Sequence, residues 1–245
     1  MDCLENFLKN YDINKAMSFE SNYDLQFIAL QKSWEKISKK FWAKANNKDF
    51  FCFFVLENAL ISYQLSGTWE NRWNEFGQFL SENFEKMKNN DKNFFCMKKL
   101  LEEWTNNKRI KNIKLKRISK FLDNFENIHI YQNYKDMKVA NHLFAKKMNQ
   151  SSNAKTIVFG IKMFWYACRI VFKENLPFPY DISIPVDSRI KRIYLNIYDQ
   201  ESKPKEIISY FDKLSRKVKI PSLHIDSILW IKNTNDWQNP WVKTS

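Results

Sequence analysis

The spacing of hydrophobic positions predicts amphipathic and buried helices in the first third of the chain. Residues 49–65 are almost entirely apolar and predict a buried central helix that ends at Ser66 and Gly67. Residues 24–46 show the three- and four-residue steps of one helix face. The positions that form this face are Phe27, Leu30, Trp34, Ile37 and Phe41.

The rest of the chain reads as further helices, interrupted by one extended segment. Helices are predicted over residues 70–84, twice within 91–122, after Asp187 as N-cap, and from about residue 220 onward. Three prolines between residues 176 and 186 bias the residue before each toward extended geometry, so this segment is not helical. The chain has only three glycines, whereas sheet proteins commonly use many in tight turns. We therefore predict an all-α fold.

The most hydrophobic helix, predicted over residues 153–172, carries two lysines. Lys155 and Lys162 are seven residues apart, close to two full turns, so both amines point to the same side. Phe159 and Tyr166 fall along the same stripe, and the opposite arc is apolar and faces the core. The lysines are either on a solvated face with their stems over aromatic rings, or in the wall of a pocket.

Composition and charge limit the classes of function. The chain of 245 residues is 44% hydrophobic and 16% aromatic, as expected of a globular protein. Its net charge of +13 favours a polyanionic partner, either nucleic acid or an anionic membrane surface. No uncharged apolar run is long enough to cross a bilayer, and no signal-peptide pattern is present, so we expect an intracellular, cytoplasmic or nucleoid-associated protein.

Several kinds of site are disfavoured by the residues present. A glycine-rich phosphate loop is missing, which argues against a nucleotide-driven motor or a Rossmann enzyme. The four cysteines are dispersed, and the histidines lack ligand spacing, so no metal site is predicted.

Residues 108–120 form a strongly basic stretch with hydrophobic residues interleaved. A solvated helix face has much the same pattern, but the overall charge favours contact with phosphates. Its seven cationic residues are Lys108, Arg109, Lys111, Lys114, Lys116, Arg117 and Lys120.

Four segments resemble, in sequence and in order, the archaeal 8-oxoguanine DNA glycosylases (the AGOG family), a divergent branch of the helix-hairpin-helix DNA glycosylase superfamily. They are NALISYQLSG (58–67), KTIVFGIKMF (155–164), IPVDSRI (184–190) and PSLHIDSILW (221–230). The resemblance implies a compact multi-helix fold, with two helical lobes around a cleft, in a single domain over residues 1–245. It also implies that the protein acts on damaged DNA as a monomer, without a metal or organic cofactor.

The same resemblance assigns roles to individual residues. Lys155 corresponds to the Schiff-base nucleophile and Asp187 to its catalytic partner, which implies excision of 8-oxoguanine followed by β-elimination at the abasic site. Asp187 as a helix cap and Ser62 or Trp73 as core residues are the ordinary alternatives. The residues implied to contact the flipped base are Gln26, Ser62, Trp73, Lys162, Pro185, Asp226 and Trp230.

The loop at residues 148–154 takes the place of the glycine-rich hairpin that grips a DNA phosphate in the wider superfamily. It contains no glycine, but its polar residues offer backbone and side-chain donors to phosphate. The predicted contacts with the DNA backbone are Lys108, Arg109, Lys111, Lys114, Ser151, Ser152 and Asn153.

Two other functions stay open at this point. A non-catalytic, basic, helical nucleic-acid-binding protein would show the same charge and fold but form no covalent adduct with DNA. A monofunctional glycosylase that uses activated water would release the base without such an adduct.

Overall fold

The computed structural model of the protein describes residues 3–41, 46–63, 69–103 and 110–234. Within these ranges the backbone forms thirteen α-helices and no β-strand, which confirms the predicted all-α fold. The helices are α1 Cys3–Leu8, α2 Ile13–Tyr23, α3 Leu25–Lys40, α4 Asn46–Ile61, α5 Trp69–Met87, α6 Asn90–Glu103, α7 Lys111–Phe125, α8 Ile130–Lys135, α9 Met137–Met148, α10 Lys155–Phe172, α11 Ser188–Tyr198, α12 Pro204–Val218 and α13 Ser222–Thr234. None of the described helices combines the length and the hydropathy needed to cross a bilayer.

The buried apolar side chains form two clusters. The larger unites α3 to α10, and the smaller unites α1 with α11 and α12. Helices α2 and α13 contribute to both, since neighbouring residues such as Ala16 and Met17 belong to different clusters. The first described helix therefore packs with the last ones.

Helix α10 lies at the centre of the larger cluster and packs antiparallel to α4. Near its start, a Cβ atom on Gly160 would lie 3.0 Å from a Leu60 methyl group at the end of α4. At the other end, Lys48 Nζ lies 5.7 Å from the ring centre of Phe172. The glycine thus permits the close approach that brings the end of α4 beside Lys155.

Several predicted boundaries differ from those observed. The helix expected over residues 24–46 ends at Lys40, and the central helix runs from Asn46 to Ile61. The predicted stop at Ser66 and Gly67 lies outside the described residues. Helices α1, α2, α8, α9 and α12 were not predicted; α1 and α8 contain only six residues, too few to show a helical period.

The extended segment between α10 and α11 is held by a buried polar network. The Phe178 N–H donates to His224 Nε2 at 3.2 Å, so that nitrogen is an acceptor and the ring proton lies on Nδ1. Nδ1 then donates to Glu20 at 2.8 Å, and Glu20 also accepts from Arg169 at 3.3 Å. The network ties α2, α10 and α13 to the proline segment that leads to Asp187. As predicted, this segment is not helical.

Candidate active site

A cavity of about 330 Å³ opens where the start of α10 meets the end of α4, the first turns of α3 and α11, and α13. Its wall contains every residue predicted for catalysis or base contact except Trp73. The lining residues are Gln26, Ser62, Tyr63, Lys155, Thr156, Phe159, Lys162, Pro185, Asp187, Ser188, Arg189, Asp226 and Trp230. A larger cavity of about 600 Å³, beside Phe50 and Asp91, contains none of the predicted residues.

Lys155 is the first residue of α10, and its side chain is exposed. Within the described ranges its amine has no ion-pair or hydrogen-bond partner. The neighbouring side chains are tied to α7, because Arg117 donates to Thr156 Oγ1 at 3.1 Å and to Gln150 Oε1 at 2.5 Å. The Lys155 amine, which has no partner, therefore lies at the cavity wall on the first turn of α10, and that turn is held by contacts to α7.

Asp187 is the N-cap of α11, as predicted. Its Oδ1 accepts the Ile190 N–H at 2.8 Å, and its side chain is 17% exposed. Oδ2 lies 3.6 Å from Arg189 Nη2. One oxygen of the carboxylate thus fixes its orientation, which leaves the other for interactions in the cavity.

Lys162 and Asp226 form a buried ion pair in the cavity wall. Nζ lies 2.8 Å from Asp226 Oδ2, and Arg189 Nη2 donates to Oδ1 at 2.5 Å. Burial raises the pKa of Asp226, but the charges of Lys162 and Arg189 outweigh burial, so the pKa lies below its ordinary value. The carboxylate is therefore ionised although it is 4% exposed.

Asp24 supports the cavity from beneath the first turn of α3. It is fully buried, and it accepts the Gln26 N–H at 2.9 Å and the Tyr166 hydroxyl at 2.9 Å. Burial raises the pKa of Asp24, and the charge of Lys162 offsets part of the rise. This cap orients the turn that carries Gln26. An aspartate at the start of the amphipathic helix predicted over residues 24–46 is itself a signal for an N-cap.

Ser62 lies at the cavity wall immediately after α4. Its hydroxyl donates to the Asn58 carbonyl at 2.5 Å and accepts from Arg72 Nε at 2.9 Å. Arg72 is buried and also donates to Asn58 Oδ1 at 3.1 Å. Burial lowers the pKa of Arg72 to about 9.

Trp73 does not line the cavity. It is fully buried, its ring centre lies 6.4 Å from that of Phe159, and its indole N–H has no hydrogen-bond partner among the described residues. Trp73 thus packs behind Phe159, which does line the wall.

The structure does not support Lys114 as a contact to the DNA backbone. Its side chain is fully buried, and its amine lies 5.2 Å from the ring centre of Tyr63. Burial lowers its pKa to about 8, with a smaller contribution from the charge of Arg72. Lys114 shares a helix face with the buried Ile118 and Phe121, so α7 turns it inward.

The other predicted backbone contacts have mixed surroundings. Lys111 is partly exposed and pairs with Glu102 at 2.6 Å. Ser151 and Asn153 are exposed and Ser152 is half-buried, in the turn that precedes α10. Lys108 and Arg109 lie outside the described residues.

The sequence analysis missed five lining residues. Phe159 was recognised on the lysine stripe but given no role. Arg189 belongs to the segment IPVDSRI, but its partner Asp226 lies on α13. No local sequence pattern predicts a contact between these two helices. The five are Tyr63, Thr156, Phe159, Ser188 and Arg189.

Comparison with known proteins identifies a family. Residues 5–240 match the family described as AGOG, N-glycosylase/DNA lyase. The chain is 35% identical over 224 residues to an N-glycosylase/DNA lyase of Methanococcus maripaludis, which covers 90% of this chain and 82% of the relative. It is 34% identical over 234 residues to one of Thermococcus kodakarensis, with 94% and 82% covered.

A solved structure shows the same fold. It is the 8-oxoguanosine complex of Pa-AGOG, the 8-oxoguanine DNA glycosylase from Pyrobaculum aerophilum, with a TM-score of 0.77, 23% identity, and coverage of 98% of this chain and 91% of that chain. The resemblance found in the sequence is confirmed, and the chain belongs to the AGOG family of N-glycosylase/DNA lyases.

Proposed function

We propose that the protein excises 8-oxoguanine from DNA and then cleaves the strand at the abasic site by means of Lys155. The observation that carries this proposal is the composition of one cavity. An amine without a partner and a capped carboxylate lie in the same wall as aromatic rings and a buried ionic cluster. The 8-oxoguanosine bound by the Pyrobaculum aerophilum protein supports the choice of lesion.

The cavity suits a single extruded base. The glycosidic bond is inaccessible inside a base-paired stack, so the damaged nucleotide must leave the duplex before chemistry begins. Phe159 and Trp230 offer apolar ring surface in the cavity wall, and such surface favours stacking. Lys162 supplies a donor and Asp226 an acceptor for the polar edge of the base, with Gln26, Ser62 and Pro185 also in the wall.

The chemistry is a displacement followed by an elimination. The nitrogen of Lys155 bonds to C1′ of the deoxyribose through its lone pair, while the bond from C1′ to the base breaks and the base leaves with its electron pair. The Asp187 carboxylate stabilises the positive charge that develops on the sugar. The nitrogen then gives one proton to the departed base. The C1′–O4′ bond of the sugar ring breaks as O4′ takes the second proton, and the nitrogen and C1′ are left joined as an imine. Loss of a proton from C2′ and departure of the 3′ phosphate then break the strand.

The DNA backbone would be gripped beside the start of α10. We propose that Ser151, Ser152 and Asn153 donate to phosphate there, with Lys111 contributing charge despite its pairing with Glu102. Lys108 and Arg109 remain proposed contacts on the basis of charge alone. Binding is therefore expected to weaken as salt is raised.

We also propose that a monomer is the active unit. It would work on chromosomal DNA in the cell interior, and residues 1–245 would form a single domain of two helical lobes. Supporting this, a single chain builds the cavity, with walls from both groups of helices, and α2 and α13 join their cores. Light scattering after size exclusion, with and without a short DNA duplex, tests the first part. A stable dimer without DNA contradicts it.

Product analysis tests the proposed function against its alternatives. The protein is incubated with an end-labelled duplex containing one 8-oxoguanine, and both free base and strand scission are followed without alkali. We expect base release together with a nick 3′ to the abasic site. Binding without release supports a non-catalytic DNA-binding protein, and release with scission only after alkali supports a glycosylase that uses water.

A further inference from the structure

Arg189 contacts two residues of the cavity wall, Asp226 and Trp230. Nη2 donates to Asp226 Oδ1 at 2.5 Å, and Nη1 donates to the Asp226 carbonyl at 3.2 Å. The guanidinium carbon lies 4.9 Å from the ring centre of Trp230. The side chain is 7% exposed, so these contacts are made away from bulk water.

We propose that Arg189 is a positioning residue for base recognition, which acts by fixing Asp226 and Trp230 rather than by touching the sugar. This inference rests on the proposed function, because it assumes that the cavity receives the damaged base.

The two hydrogen bonds to Asp226 restrict different parts of that residue. The bond to the carbonyl ties Arg189 to the backbone of α13, and the bond to Oδ1 sets the rotation of the carboxylate. Lys162 holds the other oxygen at 2.8 Å. Two cations thus leave the carboxylate a single orientation in the wall. A guanidinium has the planar fork needed for this double contact, and an ammonium does not.

The contact between Arg189 and Asp187 is weaker and has less influence on orientation. Nη2 lies 3.6 Å from Asp187 Oδ2, whereas the backbone N–H of Ile190 holds Oδ1 at 2.8 Å. The cap therefore orients Asp187 without help from the arginine. Loss of Arg189 should impair insertion of the base more than chemistry at an abasic site, where no base has to be held.

The test compares Arg189→Met and Arg189→Lys with wild type on two substrates. One duplex contains 8-oxoguanine, and the other contains a preformed abasic site. We expect single-turnover base excision by Arg189→Met to fall about 10- to 100-fold, as for loss of a hydrogen-bonded buried charge, while cleavage at the abasic site stays close to the wild-type rate. Arg189→Lys should recover only part of the loss.

A double-mutant cycle separates positioning from a general effect on the fold. If Arg189 acts through Asp226, the variant with both Arg189→Met and Asp226→Asn should excise no more slowly than Asp226→Asn alone. Arg216→Met, at a surface arginine that is 64% exposed, is the matched control and should behave like wild type. Thermal unfolding midpoints are measured for every variant.

Two results overturn the proposal. One is excision by Arg189→Met at the wild-type rate. The other is an equal loss of rate on both substrates, together with additive effects of Arg189→Met and Asp226→Asn in the double-mutant cycle. That result would mean that Arg189 acts on Asp187 or on the fold as a whole. Failure of the proposed function gives a separate result, since wild type itself then releases no base.

Discussion

Lys162 Nζ and Asp226 Oδ2 are 2.8 Å apart, and the two side chains are only 3% and 5% exposed. The pair joins α10 to α13 in the wall of the candidate active site. A buried ion pair is costly for a fold, because both charges lose their hydration. In the proposed function this pair supplies a donor and an acceptor for the damaged base, which would account for a second lysine in so hydrophobic a helix.

Removal of the lysine should therefore affect stability as well as activity. Lys162→Met leaves the buried Asp226 carboxylate with Arg189 as its remaining cationic partner. We expect the free energy of unfolding to fall by about 3 kcal/mol, at the lower end for a broken buried pair. Urea denaturation measures the change. Lys173→Met, at an exposed lysine just beyond α10, is the control, and equal stability of the two variants would contradict the prediction.

The cap and the catalytic role of Asp187 can be separated by one substitution. Asparagine caps helices as well as aspartate does, so Asp187→Asn should keep the bond to the Ile190 N–H and the thermal unfolding midpoint of wild type. It removes the negative charge from the cavity. We expect base excision to fall about 100-fold or more. An active Asp187→Asn variant would show that the residue is a cap alone.

Glu57, which does not line the cavity, makes the free energy of unfolding depend on pH. This carboxyl group is fully buried on α4, and burial raises its pKa from 4.5 to about 8, although the Asn93 side chain lowers it in part. Between these two pKa values the folded chain holds a proton that the unfolded chain has lost. Stability contributed by Glu57 is thus present below pH 4.5 and is lost as the pH rises toward about 8.

The variant Glu57→Gln tests this dependence, because it keeps the shape of the side chain and cannot ionise. Its stability relative to wild type should increase with pH across that window, by up to about 1.4 kcal/mol for each pH unit. Urea midpoints at mildly acidic and mildly alkaline pH provide the comparison. Parallel pH profiles for the two proteins would show that Glu57 does not titrate as described.

The sequence predicted the local features of the site better than its long-range contacts. The seven-residue spacing of Lys155 and Lys162 places both in one wall, and the N-cap role of Asp187 follows from the segment that precedes α11. Arg189 was missed because its partner Asp226 lies 37 residues away and meets it only when α11 packs on α13. Tertiary packing of this kind leaves no periodic trace in the sequence.

Lys114 shows a different limit. Its charge and basic neighbours suggested a surface residue, whereas its helical phase with Ile118 and Phe121 places it on the buried side of α7. The helical phase of Lys114 predicts burial, whereas the density of charge around it predicts exposure. In contrast, Ile113, one of the hydrophobic residues interleaved in this basic stretch, is 57% exposed.

The nucleophilic role of Lys155 is the central claim, and trapping of the imine tests it most directly. The protein is incubated with a duplex containing one 8-oxoguanine, borohydride is added, and covalent complexes are separated by denaturing electrophoresis. Wild type and Lys205→Gln, at an exposed lysine on α12, should both give a covalent band, and Lys155→Gln should give none. A wild type that yields no band, or a Lys155→Gln variant that yields as much as wild type, would contradict the account.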